Sequence, residues 1–360
     1  MNDGYIYDIP EYITEKALVD TSVKLNPAGS ILIAMYGATI GKVGILTFPA
    51  TTNQACCACV DYYGIEQKYL FYFLISHKEE FIRQGGGGAQ PNISKEKIVE
   101  TLIPIPPLKE QTRIINAVER WFSIIDQLEQ EQTYLKDSIK RAKSKILDLA
   151  IHGKLVPQDP NDEPAIELLR RINPDFKPCD NAHYQYNLPD NWEWTTLGNI
   201  GKWQSGGTPD RKNKSYYNGE IPWLRIADLQ DDYITEATEF ITQEGLNNSS
   251  TKFNPIGSVA LAMYGSIGKV GILTFPSTTN QAICVCSNYI IAQKYLFYYL
   301  ISQRDNFFMQ AGGGVQANIS KQIIVKHPIP IPPLPEQHRI VAKIEELFAT
   351  LDKIKKSLEA

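Results

Sequence analysis

The sequence is poor in features that membrane proteins and most catalysts require. Its longest apolar runs are cut by Gly, Lys or Pro well short of a bilayer span. No N-terminal signal pattern is present, so the expected compartment is the cytoplasm and no membrane partner is expected. Charge of one sign is not in excess. Lys and Arg number 36 against 40 Asp and Glu, a formal charge of −4, which excludes a globally basic protein but leaves room for a local basic surface. The five histidines (His77, His152, His183, His327 and His338) are scattered, with no nucleophile beside them that recurs. The six cysteines are Cys56, Cys57, Cys59, Cys179, Cys284 and Cys286, and no His or Cys pair stands near them to complete a zinc site. In an apolar strand, alternate cysteines read as small buried hydrophobes.

Phosphate-binding motifs are missing as well. Gly37-Ala-Thr-Ile-Gly-Lys42 resembles a P-loop at first sight. A P-loop needs four residues between its glycines and Ser or Thr after its lysine. Here the interval is three residues and Val43 follows. A tight turn that presents a lysine is the better reading. The glycine runs at 85–88 and 312–314 lack the strand and helix context of a dinucleotide site. They either admit a phosphate backbone closely or form flexible loops, and glycine permits both. No Asn-Pro-Pro-aromatic loop of a methyltransferase occurs. The sequence shows no catalytic or metal-ligating constellation.

What is present is a duplication. Residues 27–54, from Pro-Ala-Gly-Ser to Thr-Thr-Asn-Gln, return at 255–281, and the match extends outward from Met1 opposite Leu229 to Gln132 opposite Leu358. A repeat this long is a duplicated domain. Each copy holds short apolar strands bounded by Gly and Pro, such as 29–36 and 44–49. Each then has an aromatic stretch, Gln67–Ser76 and its copy at 293–302, that predicts a buried helix running on to Arg83 in the first copy. The mixture predicts α+β modules. The second copy has a leading stretch from Leu188 to Asp228 with no counterpart in the first, whose sheet is therefore expected to be incomplete.

After each proline run the period changes. Ile114, Val118, Trp121, Ile125, Leu128, Gln132, Leu135, Ile139, Ala142, Ile146 and Leu149 form a heptad seam, which Ile340, Ile344, Leu347, Leu351, Ile354 and Leu358 repeat. Two such stripes predict a helical pair, the first helix about forty residues and ~60 Å long and ending at His152-Gly153. Gln132 interrupts the seam; its place near the end of a shorter partner favours solvation over a role in fixing register. Residues 154–187 read as a proline-rich linker with a helical piece at Ala165 to Ile172.

Polar residues cluster at the strand ends. Tyr264, Lys269, Asn280 and Gln281, with their copies Tyr36, Lys42, Asn53 and Gln54, are types that read base edges or hold phosphate. Asn and Gln also close turns, and on chemistry alone that reading has the edge. Gly206-Gly-Thr-Pro-Asp-Arg-Lys-Asn-Lys214, with Trp223 and Arg225, is the strongest candidate for a nucleic-acid surface.

Leu188-Pro-Asp-Asn-Trp-Glu-Trp-Thr-Thr-Leu-Gly, Ser205-Gly-Gly-Thr-Pro, Ile221-Pro-Trp-Leu-Arg-Ile, Asn318-Ile-Ser and Ile329-Pro-Ile-Pro-Pro-Leu-Pro-Glu-Gln-His-Arg-Ile340 resemble the specificity subunit of type I restriction-modification systems over essentially the whole chain. The resemblance implies an α+β fold with two tandem target recognition domains separated by long antiparallel coiled-coil helices. Its boundaries would be a first recognition domain at 1–107, a central helix at 108–153, a linker at 154–187, a second recognition domain at 188–333 and a distal helix at 334–360. It implies a non-catalytic subunit: each domain reads half of a split duplex DNA target, and the helices space the domains and dock the modification subunits. S-adenosylmethionine, ATP and magnesium would belong to those subunits and to the restriction subunits.

The expected DNA contacts are Gly206, Gly207, Thr208, Arg211, Lys212, Lys214, Trp223, Arg225, Tyr264, Lys269, Asn280, Gln281, Gln316, Asn318 and Lys321 in the second half, and Tyr36, Lys42, Asn53, Gln54, Gln90, Asn92 and Lys95 in the first. The docking positions are Ile114, Val118, Trp121, Ile125, Leu128, Leu135, Ile139, Ile344, Leu347 and Leu351. Against the family pattern the first recognition domain starts in its middle and the distal helix is short. Both departures suggest a truncated frame, an alternative start or a fragment from a rearranging locus. Two other readings compete with this one: a self-contained methyltransferase or nuclease, and a coiled scaffold that no longer reads DNA.

Overall fold

The computed structural model describes residues 1–86, 92–171, 173–176, 186–312 and 318–359. The chain divides into two compact units, Met1–Glu131 and Gln132–Ala360. Among the described residues no helix is long and apolar enough to cross a membrane.

The first unit runs β1 (Gly4–Ile6), α1 (Glu15–Asp20), β2 (Leu25–Asn26), β3 (Ile31–Ala34), β4 (Val43–Leu46), β5 (Ala50–Thr51), β6 (Cys56–Cys59), α2 (Gln67–Ser76), α3 (Lys78–Gln84), α4 (Lys95–Val99) and the start of α5 (Leu108–Ile151). Its main sheet has the order β1-β4-β3-β6. Strands β3 and β4 are buried along their whole length, which is why they read as continuous apolar runs. The helix expected from Gln67 to Arg83 is two helices. His77 sits at the break, its ring stacked on Phe73 at 4.0 Å, and the chain turns there so that Phe81 reaches the core.

The second unit continues through α6 (Ala165–Arg170), β7 (Glu193–Thr196), α7 (Leu197–Ile200), β8 (Lys202–Ser205), β9 (Tyr217–Leu224), β10 (Asp232–Ile234), β11 (Phe240–Ile241), α8 (Gln243–Asn247), β12 (Val259–Ala262), β13 (Val270–Leu273), β14 (Thr278–Thr279), β15 (Ile283–Ser287), α9 (Gln293–Ser302), α10 (Arg304–Gln310), α11 (Lys321–Lys326), β16 (Pro328–Ile331) and α12 (Leu334–Glu359). Here the main sheet has five strands, β10-β13-β12-β15-β8, beside a β11-β9-β14 sheet and a β16-β7 pair. Strands β7, β8 and β9 all come from the leading stretch that the first copy lacks. Where they pair, β15 and β16 are covered and Ile331 is fully buried; in the first unit β6 is half-buried and Ile105, the counterpart of Ile331, is exposed.

The cysteines follow this difference. Cys284 and Cys286 lie wholly inside the core, on the opposite face of β15 from Ile283 and Val285. Burial raises both thiols, Cys284 to about 12, so both stay protonated and unreactive. Their counterparts Cys57 and Cys59 are half-buried.

Several tertiary hydrogen bonds occur twice. Tyr69 Oη donates to the Pro104 carbonyl at 2.8 Å and Tyr295 Oη to that of Pro330 at 2.7 Å. Gln67 and Gln293 both donate to the glycine that opens the central hairpin, Gly29 or Gly257. Gln111 and Gln337, both fully buried, tie each long helix to its module. Gln111 accepts from the Glu66 N–H at 2.7 Å and donates to Pro106; Gln337 accepts from Ala292 N–H at 2.7 Å and donates to Pro332. An ion pair adds to each anchor, Lys68 with Glu119 and Lys294 with Glu345.

Within the second unit α12 runs antiparallel to the last part of α5. Lys143 pairs with Asp352 at 2.6 Å while Gln132, earlier on α5, meets Leu358, later on α12. Gln132 is thus half-buried and bonded, not simply solvated. The segment read as a linker also does more than connect: Ala165, Leu168, Leu169 and Phe176 belong to the main core of this unit. Helix α6 ends at Arg170, and Ile172 lies outside the described residues.

Candidate nucleic-acid interface

The β8–β9 connection begins with Gly206 and Gly207. The Gly206 N–H donates to Ile283 and the Gly207 N–H to Thr279, at 3.0 and 2.9 Å. A Cβ on Gly206 would collide with the Thr279 and Asn280 carbonyls, and one on Gly207 with the Ser250–Thr251 backbone. The glycines are therefore demanded by backbone packing. Thr208 donates from its hydroxyl to the Gln281 side chain. Trp223, expected on the surface, is 1% exposed, and its indole N–H donates to the Gly207 carbonyl at 2.9 Å. It is a core residue that fastens the loop.

Arg211 and Arg225 were expected as open cations. They share one carboxylate instead: Glu239 meets Arg211 at 3.0 Å and Arg225 at 2.7 Å. The Arg211 guanidinium also packs against the rings of Tyr217 (4.7 Å) and Trp223 (4.8 Å). Burial raises the Tyr217 phenol above its usual range, although nearby Arg211 acts in the opposite direction. Lys212 and Lys214 are exposed on the same connection.

Of the remaining positions, Asn280, Gln281, Tyr264 and Asn318 adjoin this loop. Asn280 N–H donates to the Leu224 carbonyl at 2.9 Å, and its side chain accepts from Ala282 N–H at 3.1 Å. Asn53 accepts from Ala55 N–H in the same way, so both asparagines close turns. Gln54 and Gln281 are exposed beside them. Tyr264 is bridged to Asn318, and Tyr36 to Asn92, by backbone pairing. Gly265, next to Tyr264, lies against Ile226, so residues 206–208, 224–226, 264–265, 280–281 and 318 adjoin one another in the second unit. Lys42 and Lys269 sit half-buried on their turns. Lys321 donates to the Trp203 carbonyl at 3.3 Å, and Lys95 is exposed. Gln90 and Gln316 fall outside the described residues.

The seam positions divide. Ile114, Trp121, Ile125 and Leu128 are exposed, Trp121 by 65% and Leu128 by 60%, and Val118 is half-buried. Leu135, Leu347 and Leu351 are half-buried, while Ile139 and Ile344 are in the core. Sequence reasoning missed Gln111, Gln337 and Glu239. The available signal was the repeat, which carries Gln at 111 and 337 and Glu at 11 and 239.

The family profile described as type I restriction modification DNA specificity domain matches residues 2–136 and 189–360. The specificity subunit of the type I restriction enzyme MjaIX from Methanocaldococcus jannaschii is 26% identical over 300 residues, covering 80% of this chain and 63% of the relative. That of EcoAI from Escherichia coli is 27% identical over 372 residues, covering 81% and 61%. The EcoR124I/EcoR124II specificity subunit, also from Escherichia coli, is 36% identical over 168 residues, 44% of this chain and 41% of the relative. The chain spans less than two thirds of the length of these relatives. Two solved structures share the fold. One, from work on complex assembly and conformational transition of the type I R-M system, has a TM-score of 0.64 at 19% identity and covers 94% of this chain and 79% of its own. The HsdS subunit from Thermoanaerobacter tengcongensis has a TM-score of 0.53 at 18% identity, with 93% and 77% covered. With its two matching segments accounting for most of the sequence, the chain belongs to the type I restriction modification DNA specificity domain family.

Proposed function

We propose that the chain is a non-catalytic specificity subunit that reads duplex DNA in the cytoplasm as part of a type I restriction-modification complex. Each repeated module reads one half of a bipartite target; the helices space the modules and dock the modification subunits. The restriction subunits join through the complex, and S-adenosylmethionine, ATP and magnesium act on the partner subunits.

The observation that carries this reading is the second unit's patch of Thr208, Gln281, Tyr264 and Asn318, on the same unit as the exposed Lys212 and Lys214 of the β8–β9 connection. Amide and hydroxyl groups supply base contacts and the lysines supply phosphate contacts. The exposed seam at Trp121, Ile125 and Leu128 supports docking, because so large an apolar row marks an interface.

The first unit has the Tyr36–Asn92 bridge and the Asn53 turn but no β8–β9 loop among its described residues. On this reading the second module, which carries Thr208, Lys212 and Lys214, supplies most of the DNA affinity. Removing residues 188–333 abolishes binding on this reading, while removing 1–105 changes it little; the opposite pattern would refute it. The decisive test is a base-resolution methylation map of cells that express the chain with modification subunits. A split motif supports the reading. No motif leaves the chain as a coiled scaffold.

A further inference from the structure

We propose that Glu239 is a positioning residue that holds Arg211 and Arg225 side by side, so that the pair reads base edges instead of simply neutralising phosphate. The inference rests on the reading of the second module as a DNA reader and names a determinant of its specificity.

Glu239 precedes β11, and its carbonyl accepts from the Trp223 N–H at 2.9 Å, so its backbone is tied to the residue beneath the loop. Each carboxylate oxygen faces a different arginine as an ion pair, Oε1 2.7 Å from Arg225 Nη1 and Oε2 3.0 Å from Arg211 Nη1, although Oε2 accepts no hydrogen bond among the described residues. The Glu239 side chain is the least exposed of the three, 27% against 51% for Arg211 and 39% for Arg225. The anion is therefore the most covered of the three groups, and both arginines keep part of their side chains in solvent.

Both planes are fixed from a second side. Arg211 lies against Tyr217 and Trp223, and Arg225 donates to the Thr238 hydroxyl at 3.3 Å. Arg225 Nε is buried without an acceptor among the described residues. The clamp thus sets where this guanidinium lies, at the expense of one donor. A guanidinium has five N–H donors, and these contacts use only a few of them.

The charge balance decides what the remaining donors are for. A phosphate contact rewards positive charge whatever its orientation, and a shared carboxylate works against it. A base edge rewards a planar fork held at a fixed angle; the carboxylate brings the two guanidinium groups together, and the ring and Thr238 contacts orient them. The repeat supplies an internal control. Glu11 occupies the equivalent position in the first unit, where it is exposed and forms no ion pair among the described residues.

The test uses the full chain and a randomised duplex pool. Wild type, Glu239→Gln, Arg211→Lys and Glu11→Gln are compared for binding to the sequence that wild type enriches and to a scrambled duplex. Glu239→Gln is expected to lower the ratio of the two affinities at least tenfold, with scrambled-duplex binding unchanged or raised. Arg211→Lys, which keeps the charge but loses the fork, lowers the ratio similarly, and Glu11→Gln leaves it alone. If both variants keep the ratio within twofold, or lower both affinities together, Glu239 is only structural and the proposal is overturned while the DNA-reading function stands. If wild type enriches no sequence, that function fails first and the proposal falls with it.

Discussion

Gln132 donates its side-chain amide to the carbonyl of Leu358 at 2.8 Å, and these two residues occupy the same position in the two repeats. In an antiparallel pair, residue numbers run in opposite directions, so a position and its own copy can meet at only one level. Leu358 stands in the last turn of α12, where carbonyls have no partner within the helix. Gln132 therefore caps α12 from across the pair. Gln132→Ala is expected to cost about 0.5–1.5 kcal/mol and to speed hydrogen exchange in the last turns of α12 without altering exchange in the central sheet. Unchanged exchange at the end of α12 would show that the cap contributes nothing.

The two buried glutamines permit a matched experiment. Gln337→Ala strands the Ala292 N–H and the Pro332 carbonyl, and Gln111→Ala does the same to Glu66 and Pro106. A fully buried group left unsatisfied costs about 1–3 kcal/mol; of the four, only the Pro332 contact is fully buried, so Gln337→Ala has the larger effect. Gln337→Ala should lower the unfolding transition of the second unit, and Gln111→Ala that of the first, as resolved by hydrogen exchange in each unit. Equal effects of either variant on both units would contradict the pairing of each glutamine with its own module.

Much of this arrangement was legible in the residues. The duplication, the Gly-bounded apolar strands β3, β4, β12 and β13, and the heptad seam all express short-range periodicity. The failures have a common cause, since each depended on a partner distant along the chain. Trp223 beside Arg225 reads alike whether the indole meets a base or closes a core; the Gly207 carbonyl that accepts its N–H decides the matter. Arg211 and Arg225 read as open cations until Glu239 is placed between them. The helix break at His77 escaped because neither proline nor glycine marks it in the sequence.

Lysines on the β8–β9 connection should report on phosphate. Lys212 and Lys214 are exposed, and the connection carries the Thr208–Gln281 contact. If each meets one phosphate, Lys212→Ala or Lys214→Ala lowers affinity for every duplex alike and flattens the salt dependence by about one unit of log–log slope. Titrations at several salt concentrations measure this. A change of sequence preference with the slope intact would assign the lysine to base contact.

Acid should weaken the second unit through His327. The ring is 5% exposed, packed on Phe307 at 4.6 Å, with its nitrogens 3.3 and 3.5 Å from the amide groups of Gln303 and Gln310. Burial lowers its pKa to about 4 from 6.5. Between those values the unfolded chain binds a proton that the native state refuses. The neutral ring's contribution is therefore complete above the unfolded value and is lost as the pH falls towards the folded one, at up to about 1.4 kcal/mol per pH unit. The first repeat has Thr101 at this position, so the effect belongs to the second unit alone. His327→Gln should reduce the loss of stability between pH 6.5 and pH 5 by about 1–2 kcal/mol, measured by urea unfolding at the two pH values. A variant as acid-sensitive as wild type would place the titration on other groups.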